Sequence, residues 1–452
     1  MKHNNRFNTT KRSLLAAAQV IDLANFNSMQ GFSIHGASDF DLLTSISLAP
    51  DFNNDTIADF VVGSQNAPSN GRGRGYVAYG KNPASISDID LATNDSTQKL
   101  SILNPQDGSR FGQYTDSIDF NNDGISDAVI SQTNRIYVIY GMNGNYPSDI
   151  DLTSFTSGPT GFIINLAGSF VGSFSGIAKN TGDFDNDGID DLVIGDSNAA
   201  PNGRSQAGIV YILYGLNGGH TSDINLDSNT SSNSQQRVIW GSSGDNMGRG
   251  VSTAGDFNND NIDDVAIASS RSDPLGRNDA GTVYIIYGQN GKSSTTLDVL
   301  ALQSTEGVEV LGSTASENIG LGRARSTVVS LNHLGDFNND GISDLGIGTR
   351  SNYVYVVYGK QGNYNTAIDL ASPPANSVLQ INGISGDSLG SSLGFIGDVN
   401  NDGFNDIGVG DSIGGSANMG KVFVIYGPSD VYGSSLNLAS LTDAQGIIYK
   451  GP

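Results

Sequence analysis

Six short stretches of the chain carry oxygen-bearing side chains at alternate positions: DFNNDTIAD, DFNNDGISD, DFDNDGIDD, DFNNDNIDD, DFNNDGISD again and DVNNDGFND. The first, third, fifth and ninth side chains of the first three are Asp51, Asn53, Asp55 and Asp59; Asp119, Asn121, Asp123 and Asp127; and Asp183, Asp185, Asp187 and Asp191. The last three supply Asp256, Asn258, Asp260 and Asp264; Asp336, Asn338, Asp340 and Asp344; and Asp398, Asn400, Asp402 and Asp406. The seventh residues, Ile57, Ile125, Ile189, Ile262, Ile342 and Phe404, can offer only a backbone carbonyl. Five hard oxygens at this spacing on a turning chain suit Ca²⁺, which takes oxygen ligands at about 2.3–2.6 Å. Up to six ions are expected, one per loop. Glycine at the sixth position (Gly124, Gly188, Gly341, Gly403) permits the positive φ of a sharp turn. Asn261 tolerates it and the β-branched Thr56 does not, so the first loop is expected to be the weakest site.

The likeness to an EF-hand stops halfway, because that loop needs a bidentate Glu at its twelfth position and flanking helices. Here the twelfth residues are Val62, Ile130, Ile194, Ile267, Ile347 and Val409. Such apolar side chains belong to a strand, so the loop is read as the turn of a β-hairpin. Asn and Gly make good turns without any metal. Six copies with Asp fixed at three positions each favour metal. Without the bidentate Glu the affinity is expected near the extracellular range of about 10⁻⁴–10⁻³ M, which places working sites outside the cell.

The elements that must position these loops also repeat. Each loop leads into an apolar run such as DLVIG, and later into a strand ending in Tyr-Gly, at Tyr79, Tyr140, Tyr214, Tyr287, Tyr358 and Tyr426. A triplet of the Ile-Asp-Leu type begins near residues 21, 89, 150, 224, 297, 368 and 436, each followed by another short strand. The pattern predicts four strands per unit, with Gly-rich turns and no helical periodicity. Four strands repeated six times or more is the signature of an all-β propeller of four-stranded antiparallel blades. The whole of 19–452 reads as one propeller, with complete units starting near 21, 89, 150, 224, 297 and 368 and a partial one from 436. Residues 1–18 read as a disordered leader or signal remnant. Six hairpins against seven triplets leave two readings: six blades with a spare strand, or a seven-bladed ring of which this chain is a fragment.

The 452 residues hold 46 acidic and 23 basic side chains, a net charge of −23. That field repels phosphate backbones and anionic lipid, which argues against nucleic-acid and membrane-surface roles, and it attracts cations. Cysteine is absent, which excludes disulfides and thiolate chemistry. No run approaches the roughly 18 apolar residues of a membrane-spanning helix.

The Asp-x-Asn-x-Asp-Gly-x-x-Asp loops, the upstream Gly pairs (GSRFG, GDSLG) and the downstream VYVxYG strands resemble the FG-GAP repeat of integrin α-subunit propellers and bacterial surface proteins. The resemblance implies six complete repeats and a partial seventh. It also implies calcium loops on the underside and a protein or glycan ligand on the opposite rim, in an extracellular or cell-surface setting that admits further domains of a larger chain. The favoured function is non-catalytic adhesion or ligand binding. A calcium-dependent polysaccharide lyase or hydrolase, and a passive spacer, are the alternatives. No catalytic constellation emerges: His3, His35, His220 and His333 share no motif. Asn70-Gly71-Arg72 and Asn202-Gly203-Arg204 could present an adhesive arginine, or simply turn the chain. The Tyr-Gly tyrosines and Trp240 are expected in the core.

Overall fold

The structure is a computed structural model describing residues 33–37, 43–64, 73–81, 88–93, 95–104, 111–167, 182–227, 234–322, 330–412, 420–428 and 432–450. The leader, the first triplet and Asn70–Arg72 lie outside them. The chain is all-β, with six blades in a propeller arrangement. The fourth blade shows the plan. Gly250–Gly255 leads to the acidic loop, and Asp264–Ser269 and Thr282–Ile286 follow antiparallel. Gly307–Leu311 is the outermost of the expected four strands.

One addition to the expected blade is the triplet itself. Ile368–Asp369 lies parallel against Gly307–Leu311 as a fifth, two-residue strand. Ile150–Asp151, Ile224–Asp227, Leu297–Asp298 and Ser435–Asn437 do the same for their blades. Each of these triplets falls in the chain between the third and fourth strands of the following blade, and the hairpin of each complete unit forms the blade after that, so the sequence unit spans three blades. The pairing protects an outer edge that would otherwise expose unpaired amides.

The apolar runs are continuous because most blades are covered on both faces. In the third blade, Leu192 and Ile194 pack with Val129 and Val138 of the second. The alternate Val193 meets Val265 and Ile267 of the fourth. Leu48 (58% exposed) on the first blade, and Phe395 (46%) and Val422 (44%) on the sixth, are the contrast. They lie on the blades at the two ends of the series.

Blades approach closely where glycine faces glycine. A Cβ on Gly195 would stand 1.9 Å from the Gly248 carbonyl oxygen of the next blade, and one on Gly63 would stand 1.9 Å from that of Gly112. Backbone cannot retreat as a side-chain tip can. Gly195→Ala is therefore expected to destabilise the protein by about 2–3 kcal/mol, read by denaturant unfolding. An unchanged midpoint would show that these blades can separate freely.

Candidate metal centre

Each acidic loop closes on itself in one pattern. In the third loop, Asp183 accepts the amides of Asp187 (3.0 Å) and Gly188 (2.8 Å), and Asp185 accepts that of Asp187 (3.1 Å). Asp187 in turn accepts from Ile189 at 3.1 Å. Side chains one, three and five thus bend inward around one point, and the other loops repeat these bonds.

The turn needs positive φ twice. The sixth residues have it, Gly188 at 85° and, less comfortably, Asn261 at 68° and Thr56 at 67°. Thr56 therefore adopts the conformation its side chain disfavours. The fourth residue needs it as well, and is Asn in all six loops, from Asn54 (55°) to Asn339 (62°). Sequence reasoning gave the fourth position no role. Its uniform Asn was the available signal, since Asn is the most tolerant side chain after glycine in left-handed backbone.

The ninth aspartate is placed differently from the others. Asp191 is fully buried; one oxygen accepts the Phe184 amide (3.0 Å) and the other the Gly215 amide of the Tyr-Gly pair (2.9 Å). Asp59, Asp127, Asp264, Asp344 and Asp406 make the same two bonds in their loops. Burial pushes the Asp127 and Asp191 carboxyls up to about 8, against the lowering effect of those amides. Carboxylate oxygens offer about four lone-pair sites, so two amide bonds leave capacity for a cation.

Neighbouring loops are joined. The eighth residue of one loop bonds the first residue of the loop before it: Ser126 to Asp51, Asp263 to Asp183, Ser343 to Asp256 and Asn405 to Asp336. The turn after the next blade's Tyr-Gly also grips each of the first four loops, as where Gly291 N–H donates to the Asp185 carbonyl (2.7 Å) and Gly362 N–H to that of Asn258 (2.8 Å). The tyrosine hydroxyls take part in the same joints: that of Tyr214 accepts the Ser293 amide and that of Tyr287 the Tyr364 amide. This accounts for the Tyr-Gly tyrosines as packing residues.

Whether a cation fits is tested best at the third loop. Among the described residues, Asp183, Asp185 and Asp187 form a carboxylate cluster whose ligand atoms all lie within 4.8 Å of one another. Asp185 is 1% exposed and its Oδ2 has no hydrogen-bond partner. Burial, then the adjacent Asp187, raises its carboxyl to about 6. In the other loops Asn donates its Nδ2 to the fifth Asp, as Asn121 does to Asp123 at 3.1 Å. Asp185 cannot do so, and an orphaned buried carboxylate oxygen is what a cation would satisfy. Lys292, 3.3 Å from Asp187, is a partial counter-charge that sequence reasoning missed.

The remaining candidates do not converge. His220 is buried between Phe120 and Phe162, His333 sits against Ser343, and His35 pairs with Asp88. Arg204, of the second Asn-Gly-Arg, is clamped by both oxygens of Asp298 (2.9 and 2.6 Å) and by the Gly241 carbonyl. It closes its own loop onto the edge triplet and is not a free adhesive side chain. Arg277 holds Asp369 in the same way.

The FG-GAP repeat model matches residues 180–213 and 247–286, across the third and fourth acidic loops. The chain carries FG-GAP repeats. It is 34% identical over 134 residues to integrin alpha-PS2 of Drosophila melanogaster, covering 28% of this chain and 8% of that protein. It is 33% identical over 178 residues to phosphatidylinositol-glycan-specific phospholipase D of Mus musculus, covering 36% of this chain and 19% of the other. The chain thus spans under a fifth of the curated relatives it matches. A solved structure of BBS1N in complex with ARL6DN, soaked with lead, covers 86% of this chain and 80% of its own at 11% identity, with a TM-score of 0.38. So distant a likeness carries no argument.

Thr56→Gly should relieve the strained turn of the first acidic loop and raise stability by about 0.5–1 kcal/mol, measured by chemical denaturation. A loss of that size would mean that the threonine side chain makes a compensating contact.

Proposed function

We propose that this FG-GAP propeller is an extracellular, calcium-stiffened module that binds a protein or glycan on the rim opposite the acidic loops, without catalysis. The observation that carries the calcium part is the orphaned, buried Asp185 Oδ2 inside the Asp183–Asp185–Asp187 cluster. The first, third, fifth and ninth side chains and the seventh carbonyl of each loop would hold the ion. When bound, calcium supplies charge neutralisation and rigidity and no chemistry of its own. The chain's residues do the rest: the loop amides pre-bend the aspartates, and the inter-loop bonds pass stiffness from blade to blade.

The rim reading is supported by the likeness to an integrin α-subunit and by loops of unequal length presented on a rigid scaffold. A second reading has its own support, because another relative is named a phospholipase D. In that case the propeller is a non-catalytic part of a larger enzyme. Activity assays of the purified propeller on polysaccharides and glycolipids separate the two readings from a third, in which its own groups are catalytic.

Calcium at ~2 mM against a Kd of ~0.1 mM would add roughly 1.8 kcal/mol per site. Chelation should accordingly lower the melting temperature. Asp183→Ala should remove more of the calcium-dependent part than Asp51→Ala, since Thr56 strains the first loop. Identical melts with chelator and with calcium would dismiss the metal reading, and equal losses in both variants would dismiss the ranking.

A further inference from the structure

At the hairpin ends opposite the acidic loops, three arginines gather. Arg249 immediately precedes Gly250–Gly255, whose Gly250 pairs with Ala268, and Arg271 lies just past the partner strand Asp264–Ser269. Arg350 takes the matching place in the fifth blade, just past Leu345–Gly348. Hydrogen bonds fix the backbone beneath them. Gly248 N–H donates to the Ala268 carbonyl (3.0 Å), Arg271 N–H to that of Asp245 (3.3 Å) and Arg350 N–H to that of Glu317 (3.0 Å). Asn318 spans the two blades, donating Nδ2 to the Ser270 carbonyl (2.8 Å) and accepting from Arg350 Nη1 (3.4 Å).

All three arginines thus stand at the same end of two adjacent hairpins, with Arg271 exposed and Arg249 and Arg350 half-buried. Burial, then Arg350 and Arg271, lowers the Arg249 guanidinium from its ordinary range, and Tyr114 of the second blade faces it with a small opposing effect. Among the described residues no carboxylate forms an ion pair with any of the three, whereas Arg204 and Arg277 are each paired bidentately. The nearby Glu317 is buried; its Oε2 accepts the Ser313 and Thr314 amides and its Oε1 has no partner. In a chain of net charge −23, three guanidinium groups placed at one end of two adjacent hairpins, with no carboxylate ion-paired to them among the described residues, offer a place that an anion can share.

We infer that Arg249, Arg271 and Arg350 form an oxyanion site spanning the fourth and fifth blades, which takes a sulfate, phosphate or carboxylate group of a rim ligand. Guanidinium forks match such groups bidentately, and three of them suit a group with several oxygens. The assignment refines the rim-binding part of the proposed function and does not depend on the calcium part.

The test is calorimetric titration of the full chain with sodium sulfate, sodium phosphate and sodium acetate, each against sodium chloride at equal ionic strength. The expected result is saturable binding of at least one oxyanion, with the strongest of the three naming the group. Arg249→Gln and Arg350→Gln should each weaken it about tenfold or more, while Arg204→Gln, whose guanidinium is already held by Asp298, leaves it unchanged. If Arg249→Gln fails to fold, the exposed Arg271→Gln takes its place. Heats that match chloride, or full affinity in the folded Arg249, Arg271 and Arg350 variants, would overturn the site. Either outcome with calcium-dependent melting intact would overturn it alone and leave the calcium reading standing.

Discussion

The architecture depends on a buried carboxylate that holds two backbone amides. At the ninth position of every acidic loop an aspartate ties the second residue of its loop to the glycine that ends the Tyr-Gly strand. The loop and the third strand of the blade are thereby fixed to one another through a single side chain. Removing a carboxylate from water is expensive, and two amide donors return only part of that cost. The rise of Asp127 and Asp191 to about 8 is the visible remainder. A cation at the mouth of the loop would stabilise the same group in its charged form, so the clasp and the metal site support each other.

That local clasp extends into a belt. The eighth residue of one loop bonds the first residue of the loop before it, and the turn after the next Tyr-Gly pair grips the loop backbone. The acidic loops therefore serve as interblade joints as well as candidate ligands. The belt also concentrates negative charge: after burial, Asp119, Asp263 and Asp183 all push the Asp190 carboxyl upward. Side chains that raise one another in this way make a good cation trap, and a stiff one, since the first four loops are each held from the next blade as well as their own.

The opposite ends of the hairpins have other chemistry. There, bidentate arginine–aspartate pairs close the long loops onto the edge triplets at Asp298 and Asp369, while Arg249, Arg271 and Arg350 stand without such partners among the described residues. The acidic loops and these arginines thus lie at opposite ends of the hairpins. Diffusing ligands would meet the two faces differently.

Much of this was legible in the residues. Spacing alone announced the hairpin turns, because alternate oxygens followed by an apolar twelfth residue such as Ile194 fit nothing helical. The recurrence of turn, Tyr-Gly strand and triplet announced blades. Thr56 could be marked as strained because φ preferences are local. Tertiary structure decided whatever depends on a second blade. The triplets became parallel edge strands of the preceding blade, since only the folded sheet has an outer edge to protect. Arg204 of an Asn-Gly-Arg turn became the clamp on Asp298, 94 residues away. Arg249 and Arg350, unremarkable in sequence, came to stand at the same end of adjacent hairpins. Local preference and periodicity are properties of a stretch of chain, whereas charge pairing and close approach belong to positions in space that only the packed blades bring together.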